Sequence, residues 1–271
     1  PAYYGIVRAQ RDFDGGRQGL GFISTVAVRK FSDARLRDDI INNSEVFGVD
    51  GWTFLDEDKV WVISGWAGAS RVAGNRARMV SLQRNSQHYF QRPDATRLGV
   101  DSSLSSMDGY GVRLWLNKNK GNFYSNSAIG ILSPSFDMND LGFQSRADVI
   151  NMHIGGGYSW SEPGEVLRYA EAGGAVFQNY DYDGNVTWRG VFSFGNVRFL
   201  NYYSINWNLA YNPETMSNRR TRGGPLMLTP QGYQINLNLS SDSRKSFEAG
   251  VSGFTYQSDL QRDWQVGLDL T

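Results

Sequence analysis

The stretch Arg198-Phe199-Leu200-Asn201-Tyr202-Tyr203-Ser204-Ile205-Asn206-Trp207-Asn208-Leu209-Ala210-Tyr211-Asn212 alternates from end to end. Phe199, Asn201, Tyr203, Ile205, Trp207, Leu209 and Tyr211 fall on one side. Arg198, Leu200, Tyr202, Ser204, Asn206, Asn208 and Ala210 fall on the other. A period of two is the signature of a β-strand with one apolar and one largely polar face. Its length sets it apart. A globular strand usually runs roughly 5–6 residues, whereas a tilted membrane-crossing strand takes about 9–11. Large apolar groups on one side and Asn, Ser and Arg on the other suit a sheet with lipid outside and water inside.

Outward from this stretch the same plan repeats. Met107–Lys118 sets Tyr110, Val112, Leu114 and Leu116 against Gly111, Arg113, Trp115 and Asn117. Asp148–Trp160 sets Ile150, Met152 and Ile154 against Asn151 and His153. Val186–Gly195 carries Val186, Trp188, Phe192 and Phe194 on one side, after the hairpin signal Asp183-Gly184. Leu226–Ser240 reads as a single strand with Tyr233, Ile235, Leu237 and Leu239 on one face. Toward the N-terminus, strands are expected at Tyr3–Phe13, Leu20–Phe31, Val46–Leu55 and Val60–Arg71. Further strands are expected at Phe123–Leu132, Val166–Tyr180, Phe247–Gln257 and Trp264–Leu270, about 13 in all. Ser32–Asn43 reads as a loop. Val72–Ser106 breaks the pattern, and a connection this long usually serves a function or holds structure of its own. Within it, Asn75–Gln87 fits a short helix on Met79, Val80 and Leu82, or an irregular strand.

Connections alternate long and short from the second strand onward, as in membrane barrels with tight turns at one end and long loops at the other. The expected fold is therefore all-β: a transmembrane antiparallel up-and-down β-barrel. One domain spans residues 1–271, with an irregular insert at 72–106. The chain opens and closes in strand-like sequence, and a barrel tolerates no open edge in lipid. The expectation is that these residues form part of a larger barrel.

Composition narrows the function. Lys and Arg (27) balance Asp and Glu (27), and no basic run occurs, which argues against nucleic acid as a partner. Cysteine is absent, so disulfides and thiolate metal sites are excluded. That absence fits an exported bacterial protein.

The loop motifs add a resemblance. Val49-Asp50, Tyr89-Phe90-Gln91-Arg92-Pro93-Asp94 and Ser133-Pro134 through Asn139-Asp140-Leu141-Gly142-Phe143 resemble a family of bacterial outer-membrane proteins. Its members carry a family-nine-type carbohydrate-binding domain followed by a barrel domain of unknown function. The resemblance covers the barrel part. It implies residence in the outer membrane and a role near polysaccharide, and it brings no catalytic residues.

Candidate sites follow from the alternation. Arg113, Asn117, Asn151, His153, Arg198, Asn206 and Asn208 lie on polar faces and are expected to line a lumen. Tyr203, Ile205, Trp207 and Leu209 are expected to face lipid. Trp160, Trp188, Tyr211 and Trp264, near strand ends, suit interfacial girdles. His88 and His153 are the two histidines, and without a Gly-x-Ser-x-Gly elbow His153 reads as a lumenal hydrogen-bonding group rather than a base. Asp137, Asn139 and Asp140, and likewise Asp181, Asp183 and Asn185, are oxygen-rich but lack a full calcium loop. Turns stabilised by their own side chains explain them without a metal. Arg219, Arg220 and Arg222 read as a solvated loop, with lipopolysaccharide phosphate as the functional alternative. No cofactor is expected. Expected partners are outer-membrane lipid, lipopolysaccharide and further proteins of a larger assembly. The leading function is a channel or a membrane anchor. A barrel-embedded hydrolase and a soluble all-β carbohydrate-binding module are the alternatives.

Overall fold

The computed structural model describes residues 1–271 and is dominated by one antiparallel meander. Its first strands are β1 (Ala2–Phe13), β2 (Gln18–Arg29), β3 (Asn43–Phe54), β4 (Trp61–Ala73) and β5 (Ser106–Lys118). Then come β6 (Phe123–Leu132), β7 (Val149–Trp160), β8 (Leu167–Tyr180), β9 (Val186–Phe199) and β10 (Ser204–Asn212). The short strands β11 (Thr215–Ser217) and β12 (Met227–Thr229) form a separate hairpin, and β13 (Gly232–Ser240), β14 (Ala249–Ser258) and β15 (Arg262–Leu270) complete the meander. Each strand of the 13-stranded sheet pairs with its neighbour in sequence, β10 passing directly to β13. Helices are confined to connections: α1 (Ala34–Asp39) and α2 (Arg76–Arg84).

The sheet is open: β1 and β15 do not pair, so residues 1–271 do not close into a barrel by themselves. Several expectations need correction. The stretch from Arg198 to Asn212 is not one strand. Arg198 and Phe199 end β9, Leu200–Tyr203 turns, and β10 begins at Ser204. The turn closes with Tyr202 N–H donating to Phe199 O and with Tyr202 in the left-handed region at φ 67°. Leu226–Ser240 splits into β12 and β13. The segment 32–43 holds α1, capped by Asp33 accepting from Arg35 N–H. Within the insert, the helical alternative is the one realised, and Asn75 caps α2 by accepting from Arg78 N–H.

Register shows how the faces are built. Antiparallel partners share a face, so a row can be followed across the sheet. One row runs Phe22, Val49, Ala67, Val112 and Ile131 through β2 to β6. Another runs Ile205, Leu239, Val251 and Leu268 through β10 to β15. Along this face the charged strand residues, such as Arg11, Glu45, Arg71, Asp108, Lys118, Arg189 and Arg262, stand near strand ends. The middle of the face carries none. Yet its side chains are bare: Leu114 is 50% exposed, Ile154 67% and Leu268 75%.

The buried sheet residues lie mainly on the opposite face, at one end. Ala27, Ser44, Ser70, Val72, Met107 and Val149 are all buried there. The connections 30–42, 74–105, 133–148, 181–185, 213–231 and the short 259–261 emerge at that end, while the other end has 14–17, 55–60, 119–122, 161–166, 200–203 and the eight-residue 241–248. The long connections fold back over the polar face. A small core of Ile41, Val72, Met79, Leu82, Phe90 and Met107 joins the insert to the sheet. Phe136 lies so close over Gly109 that a Cβ there would collide with its backbone. The loops thus cover the polar side and leave the apolar side uncovered.

Candidate functional site

Two connected regions on the polar face gather the chemistry-bearing residues. The first is a hydrogen-bonded ladder across the open part of the face. Arg113, Gly130 and Asn151 stand in one register row on β5, β6 and β7. Gly130 has no side chain between the other two. A Cβ there would lie 2.6 Å from Asn151 Oδ1, so its absence lets Arg113 Nη1 donate to Asn151 Oδ1 at 2.7 Å across two ladders. One rung on, His153 Nε2 bonds the Asn126 side-chain oxygen, and Asn126 Nδ2 donates to Asn117. Toward the tight turns, Glu171 accepts from Tyr124 and from Tyr169, the latter at 2.7 Å. Asn196 donates to Asn206 between β9 and β10, and Arg8 pairs with Asp50 between β1 and β3. Ionised and amide groups with reciprocal partners hold a fixed polar surface in place of a packed core.

Arg113, Asn117, Asn151, His153, Asn206 and Asn208 share this face, and so does Arg198, although it belongs to β9 rather than β10. Ile205, Trp207 and Leu209 share the apolar face with Leu239, Leu237 and Ile235. Tyr203 stands in the turn before β10, half exposed and outside the ladder. Trp160, Tyr211 and Trp264 lie on the apolar face, with Tyr158 tilted against Trp160 and Tyr211 stacked on Tyr233. Trp188, Phe192 and Phe194 are corrections: they sit opposite Asn179, Ala175 and Gly173 on the polar face, parted from Val186 by the register shift, with Trp188 against Phe177 at 4.5 Å.

The second region is the loop cap. Arg92, 5% exposed, points its guanidinium at Asp148 (2.9 Å), Asp181 (3.7 Å) and Asp183 (3.8 Å). Each carboxylate ties in a different segment. Asp148 Oδ1 accepts from Tyr182 N–H at 2.9 Å. Asp183 accepts from Thr96 and Arg97 of the insert, and Asp181 from Asn185 and Asn218. Asp94 accepts from Leu226 N–H. The motif Arg92-Pro93-Asp94 therefore joins the insert to the β7, β8–β9 and β10–β13 connections. Burial pushes the Asp148 carboxyl up, against the hydrogen bond from Tyr182 and the charge of Arg92. Burial brings Arg146 down to about 10, helped by the neighbouring Arg219.

The remaining loop residues lock the cap in the same way. His88 is buried, with Nδ1 2.8 Å from Pro134 O and Nε2 3.2 Å from Asp137 Oδ2. A carbonyl and a carboxylate both accept, so the pair is complete with a proton on each ring nitrogen or with the shared proton on Asp137. Asp140 pairs with Arg29 at 2.6 Å. Arg219 is no solvated side chain: it stacks over Tyr89 and donates to the carbonyls of Ser86 and Ser145. Arg220 and Arg222 remain exposed. The acidic residues of both oxygen-rich turns are thus engaged by protein partners.

A family model described as "Domain of unknown function (DUF5916)" matches residues 67–271. The chain belongs to the DUF5916 family. The DUF5916 match takes in the polar ladder from β5 onward, the Arg92 cluster and the whole 133–148 connection. No curated protein and no solved structure matches the chain. The role of the Arg92 cluster was out of reach of the sequence, because its partners come from positions 148, 181 and 183, brought together only by the meander. The signal available was the Arg-Pro-Asp motif itself, which carries no geometry.

Proposed function

We propose that this chain is the wall of a bacterial outer-membrane β-barrel, acting as the membrane anchor of a larger assembly, with a water-lined passage narrowed by its own loops. The observation that carries the reading is the bare apolar face, free of charge along its middle, on strands that reach 14 residues. Magnitude supports it. A globular monomer of 30.4 kDa exposes about 11,800 Å², and this chain exposes 15,837 Å². No helix is long and apolar enough to cross a membrane.

The aromatic pairs Tyr158–Trp160 and Tyr211–Tyr233 stand near opposite strand ends of the apolar face, where the lipid headgroups would lie. The polar ladder of Arg113, Asn151, His153, Asn126 and Asn117 would line the water-filled side, and the loop cap would narrow it at one end. Direction alternates along all 13 strands, so β1 and β15 run the same way. Closing the ring in wholly antiparallel fashion takes an odd number of further strands, whatever supplies them.

Reconstitution tests the proposal. The protein should float with liposomes and resist carbonate extraction. In planar bilayers it should give small conductance steps whose ion selectivity shifts on Arg113→Ala. Failure to float would sink the membrane assignment. Stable insertion without conductance would reject the passage and keep the anchor.

A further inference from the structure

The polar face carries an anomaly. Trp188, Phe177, Phe192 and Phe194 form a continuous run of rings on a face otherwise furnished with amides and charge. Phe177 lies 4.5 Å from Trp188 and 6.3 Å from Phe192, and Phe192 lies 6.0 Å from Phe194. The rings lie across neighbouring strands over glycines. A Cβ on Gly190 would sit 2.8 Å from Phe177 Cζ, and one on Gly173 would sit 2.7 Å from Phe194 Cζ. Glycine at these positions lets the rings recline against the sheet, and the rings are only partly buried, with Trp188 55% exposed. Cross-strand cover for glycine explains each contact singly. It does not explain why four rings should join on the wetted side.

Beside the rings opens a groove of about 590 Å³. Its polar lining is Asn208, Asn212 and Gln234 on the β10–β13 side, and Tyr124, Asn126 and His153 of the hydrogen-bonded ladder on the β6–β7 side. No Asp, Glu, Lys or Arg lines it. Aromatic faces carry negative charge density that attracts the polarised C–H groups of a pyranose ring. Primary amides supply both a donor and an acceptor to vicinal hydroxyls. A stacking surface opposite a row of amides, without formal charge, fits a neutral polyhydroxylated chain better than an anion, a cation or a lipid tail.

We propose that the groove along Trp188, Phe177, Phe192 and Phe194 binds a neutral, pyranose-based oligosaccharide. The proposal rests on the polar face being water-filled, as in the function proposed above. Titration calorimetry on the full chain in detergent tests it, with cellohexaose, maltohexaose, xylohexaose and mannohexaose as probes. At least one should bind. Phe192→Ala and Phe194→Ala should each weaken that binding about tenfold, and Asn208→Ala should weaken it as well. Trp160→Ala, on the apolar face, should leave it unchanged. Because a ring deletion could loosen the sheet, Phe192→Tyr provides the second arm: it keeps a stacking surface and should retain most of the affinity. No binding of any hexasaccharide at millimolar concentration would overturn the proposal. So would binding that Phe192→Ala and Phe194→Ala leave intact. Failure of the membrane reading would show instead as failure to float with liposomes, so the two outcomes stay separate.

Discussion

Arg92 shows how much one side chain organises at the loop end. It is buried among Asp148, Asp181 and Asp183, each fixed to a different connection. Removing one partner from a buried ionic group leaves the others uncompensated, a loss of about 3–5 kcal/mol. Arg92→Met is therefore expected to loosen the cap by that order, read as faster amide exchange at Thr96, Arg97 and Tyr182 with β13–β15 unaffected. Asp242 acts at the opposite end. The Arg244 guanidinium, followed by the Arg244 backbone N–H, holds its carboxyl down to about 2. A depressed folded value means the contribution is complete above the ordinary carboxylate range and is lost as pH falls through about 2. The turn 241–248 should stay ordered at pH 4 and loosen toward pH 2, followed by exchange of the Ala249 amide; Asp242→Asn should abolish that dependence. Residue roles were the least legible part of the sequence. Asp137 and Asp181 read as turn formers, and they do accept from Asn139 and Asn185 N–H. Their longer-range partners, His88 and Arg92, lie dozens of positions away.

At the scale of the element, alternation showed which residues share a face within a strand, but not always which face that is, and it was a poor guide to ends. The face assignments of Asn206, Asn208, Ile205, Trp207 and Leu209 agree with the register. The boundary inside Arg198–Asn212 was missed because Leu200-Asn201-Tyr202-Tyr203 keeps the parity of the strands it joins, so a turn is invisible to a period of two. The only local hint was Asn201, whose side chain accepts from Tyr203 N–H. Trp188, Phe192 and Phe194 were misplaced together: β9 carries these rings on the polar face, opposite Asn179, Ala175 and Gly173, so the side that looks apolar in this strand is not its apolar face. Face polarity gives a direct mutational contrast. In lipid vesicles, Leu237→Arg should cost about 2–4 kcal/mol in denaturant unfolding, as charge at the middle of a lipid-facing strand does. Asn238→Arg, its neighbour on the polar face, should show no comparable loss. Equal effects of the two would remove the distinction between the faces.

Over the whole molecule, the sequence conveyed the strand count, the segregation of long and short connections, and the sidedness of the sheet. It did not convey that the long connections fold onto the polar face, since packing of 74–105 against 133–148 depends on contacts such as Ala147 N–H to Gln87 O. The open edges at β1 and β15 match the strand-like sequence at both ends of the chain. That inward fold leaves about one residue in eight buried, 34 of 271, and an apolar face without cover. The central claim is that this face meets lipid. The chain has no native cysteine, so single cysteines can be placed at each position from 233 to 239 in β13, spin-labelled and examined in lipid vesicles. The expected result is oxygen accessibility peaking at positions 233, 235, 237 and 239, with a water-soluble nickel complex peaking at 234, 236 and 238. Nickel access at 235 and 237 equal to that at 236, or both probes in phase, would contradict a lipid-facing sheet.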